Sequence, residues 1–336
     1  MKNRAKIAFI LVLLVILSSC GSKDGKTASG TNNSSDIIID KDYGPGDKDI
    51  VIFSTNDTLA AYNENLTLSA IKNYYDNFDR EENFTTLVDT GNFSAGTEEA
   101  EKSKGKSSVE IINAMGYDLV VPGSFEFNYG LDVFYENMKA LGDKVVCCNL
   151  LDTKTGELVF SPYKIFRYND LNIAFIGVTS PESLYLKINH DYFFDENGEQ
   201  LLYFYEDEDG SMLYSQVQAC VDAALEEGAD KVILLAHLGV DGITTKWTST
   251  EVILHTKNIT AVIDGHSLEV IDSGLMLNSA GEFVQLVQAG SKLECLGAMN
   301  VTKDGYSFPA IVTNRSVNKK DNEFQNKIDE ILNKYK

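Results

Sequence analysis

The sequence predicts an α/β fold, and three observations carry that prediction. First, short apolar runs recur from residue 49 onward: Ile50 to Phe53, Leu87-Val88, Leu119 to Val121, Lys144 to Cys148, Ile173 to Ile176, Val232 to Leu235 and Ala261 to Ile263. Runs this short, bounded by turn residues, are the signature of buried strands. Second, Val217, Cys220, Val221, Ala224 and Leu225 fall at the spacing of one helix face, between two of the runs. Third, the runs end in loops carrying Gly, Asn and Asp. Strands alternating with helices give layered α/β architecture, in which chemistry collects beyond the carboxyl ends of the strands.

Taken from the start of the chain, Lys2, Arg4 and Lys6 precede an apolar run from Ile7 to Leu17, which meets Ser18-Ser19-Cys20-Gly21. A basic start, a short apolar core and small residues describe an export signal over 1–19. The run is shorter than the roughly 20 apolar residues a membrane-spanning helix needs. Leu17-Ser18-Ser19-Cys20 resembles a bacterial lipobox, which implies lipidation of Cys20, anchoring to the bacterial cell membrane and a domain facing outside. Residues 20–48 then read as a tether, because Gly, Ser, Asn, Asp and Lys dominate there. The domain is expected over 49–318. Phe324, Ile328, Ile331 and Leu332 recur at helical spacing within a terminal segment, 319–336.

Composition sets the outer limits. Among 336 residues, 43% are hydrophobic and 10% aromatic, enough for a sizeable core. Asp and Glu number 50 against 29 Lys and Arg, a formal charge of −21. Loss of Lys2, Arg4 and Lys6 with the first nineteen residues leaves 26 against 50, or −24. Nucleic acid is excluded as a partner, because displacing phosphate counterions requires a basic footprint. The acidity also opposes electrostatic docking on anionic lipid.

Beyond Cys20 the cysteines are Cys147, Cys148, Cys220 and Cys295, with no CxxC spacing. They read as buried thiols acting as small apolar groups, with Cys147 and Cys148 on opposite faces of a strand. Residues 192–212 are rich in aromatics and acids and carry the turn pairs Asn197-Gly198 and Asp209-Gly210. They predict a hairpin packed on the domain.

The strand-end loops are the most informative feature. They read Ser54-Thr55-Asn56-Asp57-Thr58-Leu59, then Asp89-Thr90-Gly91-Asn92-Phe93-Ser94-Ala95-Gly96, then Pro122-Gly123-Ser124-Phe125-Glu126-Phe127-Asn128-Tyr129-Gly130. Two more are Ala236-His237-Leu238-Gly239 and Asp264-Gly265-His266-Ser267-Leu268, with Ile176 to Pro181 and Val287 to Gly290 in support. In this order and spacing, from about Asp49 to Thr313, the chain resembles the N-terminal domain of the 5'-nucleotidase family of calcineurin-like metallophosphoesterases. The resemblance implies a sandwich of two mixed β-sheets flanked by α-helices (α/β/β/α). It also implies that this chain stops at the linker helix, without the family's nucleotide-specificity domain.

In that family the loops hold two divalent metals, about 4 Å apart, that polarise phosphate and generate hydroxide. Asp57 matches the first aspartate ligand, while Leu59 stands where a histidine ligand belongs. Asn92 takes the place of the bridging aspartate. In the Gly-Asn-His-Glu-Phe-Asp motif Ser124 replaces the asparagine ligand, Phe125 the histidine that stabilises the transition state, and Asn128 the aspartate that orients it. Glu126 and Phe127 are retained. His237 and His266 match histidine ligands, and Leu268 replaces the last one. The resemblance therefore leaves Asp57, Asn92, His237 and His266 as a degenerate metal set and no intact catalytic group. At most one divalent metal, zinc or manganese, is implied, with none tightly bound. Asp89, Ser54 and Asn56 read as loop braces, and His190 and His255 as packing or solvent residues.

Three functional readings follow. The first is a surface lipoprotein whose phosphohydrolase site is largely lost, acting as a non-catalytic binding or interaction module for a phosphate ester, nucleotide or protein. The second is a residual phosphoester hydrolase using a single metal. The third is a solute-binding lipoprotein that uses the aromatics between Tyr192 and Tyr205.

Overall fold

The computed structural model describes residues 37–302 and 304–336. The expected signal segment, Cys20 and the first part of the tether lie outside the described residues. In chain order the strands are β1 (Lys41–Asp42), β2 (Asp49–Thr55), β3 (Asn83–Asp89), β4 (Leu119–Val120), β5 (Leu150–Asp152), β6 (Tyr163–Tyr168) and β7 (Leu171–Thr179). They continue with β8 (Leu202–Phe204), β9 (Lys231–His237), β10 (Ala261–Asp264), β11 (Val270–Leu277), β12 (Phe283–Ala289), β13 (Leu296–Val301) and β14 (Ser307–Val312). The helices are α1 (Leu68–Asp76), α2 (Glu98–Ser103), α3 (Lys106–Met115), α4 (Leu131–Leu141), α5 (Glu182–Tyr185), α6 (Ser211–Glu226), α7 (Ser249–His255) and α8 (Asn322–Asn333).

Two mixed sheets face each other. One has the order β1-β6-β7-β9-β10-β12-β11 and the other β14-β13-β2-β3-β4. Alternation along β2 shows how the layers form. Ile50 and Ile52 enter the core between the sheets with Phe175, Ile233, Leu235 and Ile263. Val51 and Phe53 point the other way, into a core shared with Ile71, Ile112, Phe134 and Ile328 of the helices. On the far side of the larger sheet, Val217, Val221 and Ala224 of α6 pack with Val232, Leu234 and Val252. The result is the expected α/β/β/α layering. Strands covered on both faces read as unbroken apolar runs, which is why their sequence signal was strong.

The compact unit begins at Ile37, not at Asp49. Ile37 and Ile39 pack against the α6 core, β1 pairs in parallel with β6, and Tyr43 stacks on Tyr168 with ring centroids 4.5 Å apart. Composition had assigned 37–48 to the tether, but a few apolar and aromatic residues suffice when a sheet edge is open to receive them. The terminal segment is likewise part of the domain. Asp321 caps α8 by accepting from Glu323 N and Phe324 N, and Phe324, Ile328 and Ile331 are buried against the core.

Two local expectations differ from the structure. The run from Lys144 to Cys148 forms only isolated bridges, Val120 to Val145 and Val146 to Ser161. Residues 192–212 are not one hairpin, because β8 pairs antiparallel with the distant β5 and only Phe194 bridges to Gln200 locally. Phe193 and Phe204 are buried there against Phe127, at centroid distances of 5.0 and 6.1 Å. Those two rings therefore serve the core and are closed to a solute. Cys147 and Cys148 are buried free thiols that enter different cores, as their adjacency predicted.

Candidate functional site

The parallel strands β2, β3 and β4 of one sheet, and β7, β9 and β10 of the other, deliver their carboxyl-end loops to one place. Asp57 follows β2, Asn92 follows β3, His237 ends β9 and His266 follows β10. All four sequence-predicted metal positions meet. Asn92 Nδ2 donates to Asp57 Oδ1 at 2.7 Å, and the His237 and His266 rings stand edge to face with centroids 5.1 Å apart.

The loops are drawn together by backbone contacts that only glycine permits. A Cβ on Gly123 would lie 2.5 Å from Asn92 N and 2.8 Å from His237 Cε1. Gly91 has φ +96°, and a Cβ there would lie 2.9 Å from His237 Nδ1. Glu126 ties the same loops from within. Its carboxylate accepts from Asn92 N at 2.9 Å, Phe93 N at 3.0 Å, Ser94 N at 3.0 Å and Gly123 N at 2.6 Å. Burial pushes the Glu126 carboxyl up in pKa while these donors pull it down, and burial prevails.

Most of the polar atoms at the centre are already satisfied. Asp57 Oδ2 accepts from His266 N at 2.7 Å and from Asn56 Nδ2 at 2.9 Å. Asn92 Oδ1 accepts from Phe125 N at 2.8 Å. His266, at φ +83°, places Nε2 2.9 Å from Glu182 Oε2. Desolvation lowers the His266 pKa, but the hydrogen bond and charge of Glu182, with Asp57 and Asp264 behind them, outweigh it and raise the value.

His237 is the exception. Its Nδ1 lies 2.6 Å from Thr90 O, a carbonyl that can only accept, so Nδ1 carries the proton. Its Nε2 is buried and lacks a hydrogen-bond partner. Burial drives its pKa down to about 4 against the pull of Asp57, which keeps the ring neutral with a lone pair on Nε2 at pH 7.

The remaining positions are placed as follows. Ser124 Oγ pairs with Ser183 Oγ at 2.9 Å, and Asn128 Oδ1 is buried without a partner. Phe125 is half-buried. Leu59 is at φ +50° and donates its backbone N–H to Asn92 O, while Leu268 is 48% exposed. Asp89 braces its loop by accepting from Thr55 Oγ1 and Gly91 N. His190 hydrogen-bonds Leu184 O, and His255 stacks on Tyr214.

Sequence reasoning missed Glu182. The signal available was its place directly after Thr179-Ser180-Pro181, an acidic residue at the mouth of a strand-end loop. Asp264 was also passed over. Its Oδ1 accepts from Leu238 N, Gly239 N and Gly265 N, joining the two histidine loops.

No family model matches the chain. Curated relatives do. A 5'-nucleotidase of Vibrio parahaemolyticus is 28% identical over 97 residues, covering 29% of this chain and 17% of its own length. Protein UshA of Escherichia coli is 29% identical over 109 residues, with 32% and 20% covered. A 5'-nucleotidase of Bos taurus is 26% identical over 245 residues, with 67% and 39% covered. The matched region thus spans less than two fifths of these relatives. Among solved structures, the calcineurin-like phosphoesterase YfkN of Bacillus subtilis aligns with a TM-score of 0.68 at 20% identity, covering 86% of this chain and 98% of that one. A 5'-nucleotidase precursor from Thermus thermophilus gives 0.68 at 18% identity, covering 85% and 58%. The chain has the calcineurin-like phosphoesterase fold and, over part of its length, is similar in sequence to 5'-nucleotidases.

The donor set at the meeting point of these loops does not fit a two-metal centre. Two dications need several anionic or imidazole ligands with free lone pairs. Here both Asp57 oxygens hold neutral N–H donors, the Asn92 amide presents its nitrogen to Asp57, and His266 Nε2 is turned to Glu182. Among the described residues, no group of three or more His, Cys, Asp or Glu is arranged to hold a metal ion. Of the four candidate metal positions Asp57, Asn92, His237 and His266, it is His237 whose Nε2 is buried without a hydrogen-bond partner.

Proposed function

We propose that this domain binds rather than hydrolyses, and that it does so outside the cell on a lipid attached to Cys20. The observation that carries this reading is the Asp57–Asn92 contact of 2.7 Å. An amide there makes a hydrogen bond with the carboxylate, where two carboxylates would repel one another and call for a cation. Phe125 offers no proton to a departing group. A phosphate ester, a nucleotide or a protein is the partner class, taken from the kind of protein the chain resembles.

The test is metal analysis of the purified full chain, paired with turnover of a generic phosphate monoester in added zinc or manganese. Neither stoichiometric metal nor turnover is expected. Stoichiometric metal with turnover that His237→Ala abolishes would sink the binding reading. That outcome would favour the second one, a slow hydrolase built on a single metal, for which the unpartnered His237 Nε2 is the supporting observation. Membrane attachment is tested separately by lipid labelling. The anchor is wrong if Cys20→Ala leaves the protein equally membrane-bound.

A further inference from the structure

The parallel strands of the larger sheet have a second end, away from the candidate site. There the amino ends of β9, β10 and β12, with the turn between β13 and β14, surround a groove of about 470 Å³. β9 runs seven residues from Lys231 to His237, which puts the groove roughly 20 Å from the histidines. Leu225 and Ile259 supply its apolar part. Phe283 and Tyr306 also line it, and they are 67% and 68% exposed, although rings of this size ordinarily lose most of their surface on folding. Lys231, Asn258 and Gln285 add polar side chains that, among the described residues, have no hydrogen-bond or ion-pair partner. The Lys231 stem lies along Gly305, where a Cβ would come within 2.8 Å of its Cε.

We propose that this groove binds a neutral saccharide, at a site separate from the one the strand-end loops form. The faces of a sugar ring carry C–H groups that pack on an exposed aromatic face, which Phe283 and Tyr306 both offer. Sugar hydroxyls donate and accept, as do the carboxamides of Asn258 and Gln285, while Lys231 contributes donors. The charge disfavours a phosphate, because the carboxylates of Asp230 and Glu282 outnumber the single ammonium of Lys231. Both carboxylates are held in place at the groove. Asp230 Oδ2 accepts from Asn172 N at 2.8 Å, and Glu282 Oε2 accepts from Asn278 Nδ2 at 2.9 Å. An extended peptide is a poorer match. β9, β10 and β12 are each paired on both sides, so they present no free edge for main-chain pairing. The volume is within the range of sites for small ligands.

The full chain is tested with cellotetraose, maltotetraose and the tetramer of N-acetylglucosamine, by saturation-transfer NMR and isothermal titration. At least one should bind. Phe283→Ala and Tyr306→Ala should each weaken that binding about tenfold. Both rings are mostly in solvent, so neither substitution should disturb the fold, which circular dichroism checks. Phe308→Ala, at a ring 55% exposed and outside the groove, should leave binding unchanged. The proposal is overturned if none of the three saccharides binds, or if binding survives removal of both rings together. It is overturned equally if adenosine binds in their place, which would assign the rings to a base. Because the readout is saccharide binding in the groove, the result is independent of metal content and turnover at the strand-end loops.

Discussion

Glu182 Oε2 lies 2.9 Å from His266 Nε2, joining the loop after β7 to the loop after β10 across 84 positions of sequence. Glu182 is 3% exposed, and its other oxygen accepts from Thr244 N at 3.2 Å. The contact takes up the imidazole nitrogen that would otherwise be free to serve as a ligand.

Glu182→Gln should therefore lower the His266 pKa, because desolvation would act with less opposition. In the unsubstituted protein the folded pKa is raised, so the stabilisation is fully present below the unfolded value of about 6.5. It is lost as pH rises through the folded pKa. Histidine NMR titration checks the shift, and an unchanged His266 midpoint in the variant would show that the carboxylate is not its cause.

Asn92→Asp should restore a second carboxylate 2.7 Å from Asp57 Oδ1. With chelator present the variant should be destabilised by about 2–4 kcal/mol, from like charges in a buried site. Added zinc or manganese should recover part of the loss. Thermal unfolding with and without metal measures both effects, and equal stability of variant and parent in chelator would contradict the charge argument.

Glu126→Ala leaves four backbone donors without their acceptor, those of Asn92, Phe93, Ser94 and Gly123. Destabilisation of about 3–5 kcal/mol is expected, with less for Glu126→Gln, which keeps one acceptor oxygen. Denaturant unfolding of both variants gives the comparison. Equal losses would mean that side-chain volume matters more than the acceptors.

His237 and Asp264 oppose each other in acid. With its pKa lowered to about 4, His237 contributes stability that is present above about 6.5 and lost as pH falls. Burial raises Asp264 to about 6, so its contribution runs the other way, present at low pH and lost as pH rises toward and past 6. Asp264→Asn keeps an oxygen for the three backbone donors and removes only the titration. Between pH 7 and pH 5 the variant should lose about 1 kcal/mol more than the parent. Parallel stability profiles over that window would refute the assignment.

The layers and the site were legible to different degrees. β2, β9 and β10 were plain in the sequence because both faces of each strand are covered, leaving unbroken apolar runs. The α6 face was plain because burial repeats with the helical period. The run from Lys144 to Cys148 is as apolar as any strand, yet it makes only isolated bridges. Burial was legible there and hydrogen-bond pairing was not, since pairing depends on what lies alongside. The Tyr192 to Met212 segment misled for the same reason. Its turn residues suggested a local hairpin, whereas the partner of β8 is β5, 50 residues earlier.

By itself the sequence determined which side chains stand at the strand ends: a carboxylate at 57, an amide at 92, imidazoles at 237 and 266, and leucines at 59 and 268. Those identities follow from loop order and do not depend on packing. Tertiary structure alone decided what each atom touches. It turned Asn92 toward Asp57, closed Glu182 on His266, and left His237 Nε2 without a partner. The physical reason is that periodicity encodes only which face of an element is buried. A hydrogen bond of under 3 Å between loops tens of residues apart depends on how closely two sheets bring their ends together.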